Sequence, residues 1–156
     1  MDAAQFLKAC RGPAVPPTPA ANADLLAAFQ LARIYALGID NRDDALVRSA
    51  FAPDATASGL IGASPIDEYI PKLLVGVAPY AATMHTILNQ YGVIDVDRGS
   101  VWSYAVAYHL EPEGSDKDDL VIGLTYRDEV ARRSDGWLIT SRHTVPSWIR
   151  GTLPAS

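Results

Sequence analysis

Apolar residues along this chain recur with helical spacing up to about residue 83 and alternate with polar residues after it. The clearest helical run is DLLAAFQLARIYALGI, which predicts a major helix over residues 23–39 with Asn22 as its N-cap. Proline and capping residues divide the segment that follows into shorter elements. These are a helix over residues 43–50, a strand over residues 54–58 and a helix from residue 65 to about residue 77.

Four alternating runs in the second half predict β-strands. They are HTILNQYGVIDV, VWSYAVAYHLEP, DLVIGLTYRDEVARR and WLITSRHTV, all rich in β-branched and aromatic residues. The turn-forming groups DRG, EGSDKDD and SDG separate them. Short turns between neighbouring strands mean antiparallel pairing, so helices precede an antiparallel meander and the fold class is α+β.

Side chains alternate between the two faces of a strand, so parity predicts what each face carries. In the second strand the small face could line a cavity, and it holds Val101, Ser103, Ala105, Ala107 and His109. The large face holds Trp102, Tyr104, Val106, Tyr108 and Leu110. By the same rule His85 shares its face with Ile87, Asn89 and Tyr91, and Arg142 shares its face with Leu138 and Thr140. We expect helices to cover one face of this sheet and another subunit to cover the other.

Composition and charge fit one domain of ordinary size. The 156 residues are 49% hydrophobic and 20% charged, as in globular proteins. Net charge is −5 and basic residues are scattered, so no nucleic-acid partner is expected. The one cysteine, Cys10, excludes an internal disulfide and fits a reducing compartment. Without a signal sequence or an apolar run long enough for a bilayer, we expect a cytoplasmic protein with no membrane partner.

A proline-rich segment near the N-terminus predicts the domain boundaries. The stretch RGPAVPPTPAANA, residues 11–23, contains four prolines and favours an extended linker. We assign residues 1–21 to a flexible tail with a short helix over residues 2–10, residues 22–150 to a single domain, and residues 151–156 to a second tail. Residues 11–21 should be dispensable for folding, because a proline-rich segment makes few backbone hydrogen bonds.

Asp40 is the first candidate for chemistry. It follows Ile34, Leu37 and Ile39 closely enough to be drawn into the interior, where a carboxylate needs a partner. His85 is the natural partner, because a carboxylate bound to one imidazole nitrogen fixes the tautomer and leaves the other nitrogen free as a base. A structural pair, with His85 as a satisfied core histidine, is the alternative.

Other candidate residues have ordinary explanations when each is taken alone. His109 fits a strand edge, and Arg142 fits a cross-strand ion pair. Tyr35 lies about 140° round an ideal helix from Asp40, so the two share a face only if the helix is distorted near Gly38. The three histidines lack ligand spacing, and HExxH, CxxC, Walker and GxGxxG motifs are absent, so no metal or cofactor is expected.

An ordered series of segments carries a family resemblance. It runs through Tyr35 and Asp40, FAPDA, MHTILNQ, SYAVAYH, GLTYRDEVARRSDGW, and Arg142 five residues after Trp137. Over residues 22–150 the sequence resembles the SnoaL-like branch of the nuclear-transport-factor-like superfamily. It is similar to scytalone dehydratase, bile-acid 7α-dehydratase and hexachlorocyclohexane dehydrochlorinase. The resemblance implies a strongly curved antiparallel sheet folded over the N-terminal helices, a conical pocket, and a homodimer or homotrimer.

The resemblance also implies roles for individual residues. Asp40 would orient His85, and His85 would take a proton from a substrate carbon. Tyr35 would donate a proton or hold a carbonyl oxygen. His109 resembles a second pocket histidine, and Arg142 resembles a pocket arginine that stabilises developing negative charge.

The implied function is that of a cofactor-independent lyase or isomerase. Its substrate would be a small, apolar, cyclic molecule that loses a proton beside a carbonyl or a leaving group and then loses water or shifts a double bond. Pocket shape would depend on Leu124, Tyr126 and Trp148, and Tyr126 is a further substrate-binding candidate. The alternative is a non-catalytic binding domain or accessory subunit, like the small subunits of ring-hydroxylating dioxygenases, which share the implied fold.

Overall fold

Four helices and one six-stranded sheet make up residues 1–13 and 17–153, which the computed structural model describes. The helices are α1 (Ala3–Ala9), α2 (Pro19–Asp40), α3 (Asp44–Arg48) and α4 (Ile66–Val77). The strands are β1 (Phe51–Gly59), β2 (Gly62–Pro65), β3 (Ala82–Asp95), β4 (Arg98–Leu110), β5 (Leu120–Arg133) and β6 (Gly136–Arg150). The predicted α+β class is confirmed. None of the helices in these residues is long and apolar enough to cross a membrane.

The sheet is curved and unclosed, with strand order β2-β1-β6-β5-β4-β3. The predicted antiparallel meander from β3 to β6 is confirmed. Sequence reasoning missed two features, the parallel pairing of β1 with β6 and the short strand β2. Residues 62–65 pair with β1, so Pro65 ends a strand instead of opening a helix, and α4 starts at Ile66 without a side-chain cap.

Helix α2 is longer than the pattern predicted. It begins at Pro19, where the missing N–H of proline costs nothing, and Thr18 caps it by accepting a hydrogen bond from the Ala21 N–H. The predicted extended linker is therefore wrong for residues 19–23. Gly38 does not distort the helix end: it gives α3 room, since a Cβ there would lie 2.6 Å from Val47 Cγ2. The helix runs on to Asp40 and presents that carboxylate to the sheet.

The predicted division of β4 into two faces is confirmed. All five residues of the small face are buried and point toward the helices. In β3, however, the register shifts between Ile87 and Gln90. This β-bulge turns Gln90 inward, where its Nε2 donates to Ser103 Oγ at 3.0 Å, and it leaves Asn89 and Tyr91 exposed. The prediction that Asn89 and Tyr91 share the face of His85 is wrong for this reason.

A second bulge changes the neighbours of Arg142. Glu129 pairs with Ser141 but Val130 pairs with Ile139, so Thr140 is the extra residue in β6. Arg142 therefore lies on the buried face with Ile139 and not with Leu138 and Thr140 as parity predicted.

Helix α1 packs on the outer face of the sheet. Phe6 is 1% exposed and stacks on Trp102, with ring centroids 4.5 Å apart. The guanidinium of Arg127 lies 4.3 Å from the centroid of the same indole. The short helix predicted over residues 2–10 is present, and it covers part of the large face of β4, while Tyr104 remains 44% exposed. Burial of that face against another subunit, as a dimer or a trimer, stays a prediction.

Candidate active site

A largely apolar cavity of about 150 Å³ lies between the helices and the inner face of the sheet. An engineered apolar cavity of about this volume holds benzene. Its polar groups come from four tyrosines, two histidines and one threonine, and its lining is Tyr35, Leu60, Ile61, Tyr69, Leu73, Gly76, Val77, Tyr80, His85, Ala107, His109, Leu120, Ile122, Leu124, Tyr126, Thr144 and Leu153. A wider outer cavity of about 740 Å³ shares Gly76, Tyr80 and Leu153 with it. The cavity can therefore take one ring, with room for substituents toward the outside.

Two of the three residues expected to shape the pocket are in this lining. Leu124 and Tyr126 face the cavity. Trp148 does not, because it lies flat over Gly123 on the outer face, where a Cβ at residue 123 would approach the indole to 2.1 Å. The prediction for Trp148 is wrong because a register shift between Gly123 and Leu124 alters the parity at this end of β6.

Asp40 and His85 form the predicted pair. His85 Nδ1 lies 2.7 Å from Asp40 Oδ1, and the backbone N–H of His85 donates to Asp40 Oδ2 at 2.9 Å. Thr83 Oγ1 donates to Asp40 Oδ1 at 3.1 Å. An ionised carboxylate can only accept, so in the neutral form of His85 the proton is on Nδ1 and the lone pair is on Nε2. The imidazole is thus held in the tautomer that a general base requires.

The charge on Asp40 is stabilised by these contacts. Burial alone would raise the pKa of Asp40, but the hydrogen bonds from the side chain and backbone of His85, together with that from Thr83, lower the pKa below its ordinary value. Asp40 is the last residue of α2, where the helix dipole disfavours a negative charge. The local helix gives no reason for an aspartate here, whereas the contact with His85 does.

His109 lies in the cavity lining and not at an exposed strand edge. Its ring is 5.6 Å from that of His85 and 5.0 Å from that of Tyr80. Burial, followed by the nearby His85, lowers the pKa of His109, so the ring is neutral at physiological pH. Its Nδ1 lies 3.3 Å from the carbonyl oxygen of Leu120, which can only accept. Nδ1 therefore donates, and Nε2 is an acceptor.

Tyr35 and Tyr126 place two buried phenols against the cavity, with ring centroids 5.4 Å apart. Burial raises the pKa of Tyr35 to about 12, although the positive charge of Arg142 opposes the shift. Burial also raises the pKa of Tyr126 well above its ordinary value. Both hydroxyls therefore stay protonated and can donate hydrogen bonds. Helix α2 is regular up to Asp40, so Tyr35 and Asp40 do not share a face of it. Tyr35 lines the cavity, whereas Asp40 is connected to the cavity through its contact with His85.

Arg142 lies behind these tyrosines and is absent from the cavity lining. It is 1% exposed, and its Nε and Nη2 donate to the two carboxylate oxygens of Asp128, each at 2.7 Å. The guanidinium carbon is 4.2 Å from the Tyr35 ring centroid and 4.3 Å from that of Tyr126. Arg142 therefore forms a cross-strand ion pair with Asp128 and packs against both tyrosine rings. A cross-strand ion pair is the explanation that the sequence offered for Arg142 when it was taken by itself.

Comparison with known proteins gives the family. A sequence model of the SnoaL-like domain matches residues 22–143. The chain belongs to the SnoaL-like family. A search of curated proteins found no match.

Solved structures share the SnoaL-like fold over most of the chain. A protein from Kribbella flavida is 24% identical, with a TM-score of 0.76 over 83% of this chain and 95% of the other. A scytalone dehydratase-like protein from Novosphingobium aromaticivorans is 17% identical, with a TM-score of 0.77 over 90% and 95%. The type 3 hexachlorocyclohexane dehydrochlorinase from Novosphingobium barchaimii is 18% identical, with a TM-score of 0.69 over 87% and 92%. These likenesses establish the fold.

Sequence reasoning missed three residues of this SnoaL-like site. Thr83 lies two residues before His85 on the same strand, so parity could have placed its hydroxyl beside Asp40. Tyr69 and Tyr80 line the cavity from α4 and from the turn before β3, where no sequence pattern distinguishes them from core aromatics. Among residues 1–13 and 17–153, no three His, Cys, Asp or Glu side chains are grouped to hold a metal ion.

Proposed function

We propose that this SnoaL-like protein is a cofactor-independent lyase or isomerase that removes a proton from carbon in a small, apolar, cyclic substrate. The observation that carries the proposal is the 2.7 Å contact between Asp40 and His85, with the ring of His85 lining an apolar cavity. General bases work best when a fixed hydrogen bond sets the tautomer and a nearby charge stabilises the protonated form.

The first step transfers a proton from a substrate carbon to Nε2 of His85. The electron pair of the broken C–H bond forms a new double bond, and Asp40 stabilises the imidazolium that results. In a lyase, the leaving group departs with its own electron pair. In an isomerase, the proton returns from His85 to another carbon. Both outcomes use the same base.

Tyr35 and Tyr126 would hold an oxygen on which negative charge develops. A phenol whose pKa is raised donates a hydrogen bond without ionising. In the elimination, one of these hydroxyls would also give a proton to a departing hydroxide. His109, which is neutral with Nε2 as acceptor, would orient a substrate hydroxyl.

A simple carbon acid tests the availability of His85 as a base. In 5-nitrobenzisoxazole, proton removal from carbon breaks the N–O bond and releases a coloured cyanophenolate. Its ring system is compact and apolar, and the nitro group would extend into the outer cavity. We expect saturable turnover that falls to near the buffer rate in His85→Ala and strongly in Asp40→Asn.

The control is His143→Ala, since His143 is exposed on β6, where its Nδ1 lies 2.8 Å from Ser58 Oγ. That variant should keep the wild-type rate. Equal rates for the wild-type protein and His85→Ala would overturn the proposal. Binding of the probe without His85-dependent turnover would favour the alternative of a non-catalytic binding domain.

A further inference from the structure

The turn after Asp40 has an unexpected residue at its centre. The N–H of Asp43 bonds to the carbonyl of Gly38, and the N–H of Arg42 bonds to the carbonyl of Ile39, which is the Schellman arrangement at the end of a helix. The residue in the left-handed conformation is Arg42, with φ of 54°. Glycine normally occupies this position because a side chain there is strained. The arginine therefore needs an explanation beyond the turn itself.

The side chain of Arg42 supplies that explanation. Its Nη2 donates to the carbonyl oxygen of Tyr80 at 2.7 Å and to that of Val77 at 3.3 Å. Val77 is the last residue of α4, so its carbonyl has lost its partner within the helix. One guanidinium therefore ties the turn that follows Asp40 to the segment between α4 and β3.

Both anchored residues belong to the cavity wall. Val77 is 5% exposed and Tyr80 is 8% exposed, and each lines the inner cavity. Tyr80 also lines the outer cavity and packs against the ring of His109. The same short turn thus carries Asp40 on one side and, through Arg42, fixes the wall at the boundary of the two cavities.

We infer that Arg42 is a positioning residue that holds Val77 and Tyr80 at a set distance from His85, and so determines how tightly the cavity closes on a substrate. It touches no substrate itself. The inference rests on the proposed function for its kinetic consequence, but its structural consequence can be measured without turnover.

The decisive variant is Arg42→Gly, because glycine accepts the left-handed turn without strain and removes both side-chain hydrogen bonds. The matched control is Arg48→Gln. Arg48 pairs with Asp44 within α3 and ties α3 to the start of α4 through Asp67, and it lies outside the cavity lining. Arg42→Lys is the conservative variant, which keeps one donor group on a flexible stem.

The first measurement is the NMR cross-relaxation between the ring protons of Tyr80 and His109 in the unliganded protein. We expect its intensity to fall at least twofold in Arg42→Gly, to fall less in Arg42→Lys, and to be unchanged in Arg48→Gln. Unchanged intensity in a folded Arg42→Gly protein would overturn the inference, whatever the outcome of the activity assay.

The second measurement is the kinetics with 5-nitrobenzisoxazole. A loosened wall should raise KM about three- to tenfold in Arg42→Gly while kcat changes less than twofold, because Asp40 and His85 stay in place. A merely structural role would lower the folded fraction, and so lower kcat at constant KM, and that result would contradict the inference. If the wild-type protein shows no turnover, the proposed function fails while the NMR measurement still decides the role of Arg42.

Discussion

Two pairs of a carboxylate and a basic side chain can be compared, Asp128 with Arg142 and Asp40 with His85, and we propose that they serve different purposes. Asp128 and Arg142 are 2% and 1% exposed and are joined by two parallel hydrogen bonds, from Nε and Nη2 of the arginine. Asp40 and His85 share one hydrogen bond between side chains, and the His85 side chain is 6% exposed beside the cavity. The arginine of the first pair stays protonated, whereas an imidazole such as that of the second pair can take up and release a proton.

We propose that this difference separates a supporting ion pair from a reactive one. The guanidinium of Arg142 is bound to a carboxylate, packs against the Tyr35 and Tyr126 rings and does not line the cavity, and it already carries its proton. By contrast, an imidazole with one nitrogen bound to a carboxylate and the other nitrogen free can accept a proton and can contact a ligand. If this comparison is correct, disrupting the first pair should affect stability and disrupting the second should affect turnover.

The largest expected effect is on turnover in His85→Ala. The rate with 5-nitrobenzisoxazole should fall about 10²- to 10⁴-fold, which is the usual contribution of a general base. The melting temperature should change by only a few degrees, because Asp40 keeps its hydrogen bonds from Thr83 and from the backbone at residue 85. Calorimetry measures the melting temperature, and the kinetic assay measures the rate. A variant that is strongly destabilised but normally active when folded would make this pair structural as well.

The next effect is on stability in Arg142→Met. The substitution leaves the Asp128 carboxylate buried without a partner, so the free energy of unfolding should fall by about 3–5 kcal/mol. Urea denaturation measures the loss. The double variant with Asp128→Leu and Arg142→Met should recover most of it, since neither charge remains buried. A single variant as stable as the wild-type protein would show that the pair is not a support.

A smaller effect is expected for Tyr35→Phe, which sharpens the comparison because Tyr35 contacts both the cavity and Arg142. The ring and its packing on the guanidinium are kept, so the melting temperature should stay within about two degrees of the wild-type value. Turnover should fall about 10- to 100-fold through loss of one hydrogen bond to developing charge. An unchanged kcat would show that the Tyr35 hydroxyl takes no part in turnover.

The smallest effect concerns pH. Burial, together with the neighbouring His85, lowers the pKa of His109 in the folded protein below its ordinary value of about 6.5. As the pH falls below that value, the unfolded chain takes up a proton at this histidine before the folded protein does. This contribution to stability is complete above about pH 6.5 and is lost as the pH falls toward the lowered pKa. Between pH 7.5 and 5 the melting temperature should therefore depend less on pH in His109→Gln than in the wild-type protein. A His109→Gln protein whose melting temperature depends on pH as steeply as that of the wild-type protein would refute the assignment.

The sequence was enough to predict the meander and the contact between Asp40 and His85. Alternation identified β3 and β4, and a carboxylate among apolar residues at the end of a helix called for a partner inside. The order of matching segments then pointed to the SnoaL-like family, which the match over residues 22–143 confirms. These features depend on chain order and on patterns several residues long.

The surroundings of Arg142 could not be predicted in this way. Counting back from the turn at residues 134–135, a regular ladder would place Asp128 opposite Ser141. The single extra residue at Thr140 shifts the register and puts Asp128 opposite Arg142. A bulge of one residue leaves no mark in the alternation of polar and apolar positions, yet it decides which charges meet.

The cavity lining comes from two kinds of element, and this division bears on how the protein can diversify. The groups that we propose act on the substrate lie on α2, β3, β4 and β5, which are held by backbone hydrogen bonds and by buried packing. Leu60 and Ile61, in contrast, come from the tip of the β1–β2 hairpin, and Leu153 comes after the last strand. Tips of this kind tolerate substitution far better than ladders do. If the proposed function holds, libraries randomised at these three positions should yield variants that accept rings of different size and substitution, while the proposed base and the Asp128–Arg142 pair stay unchanged.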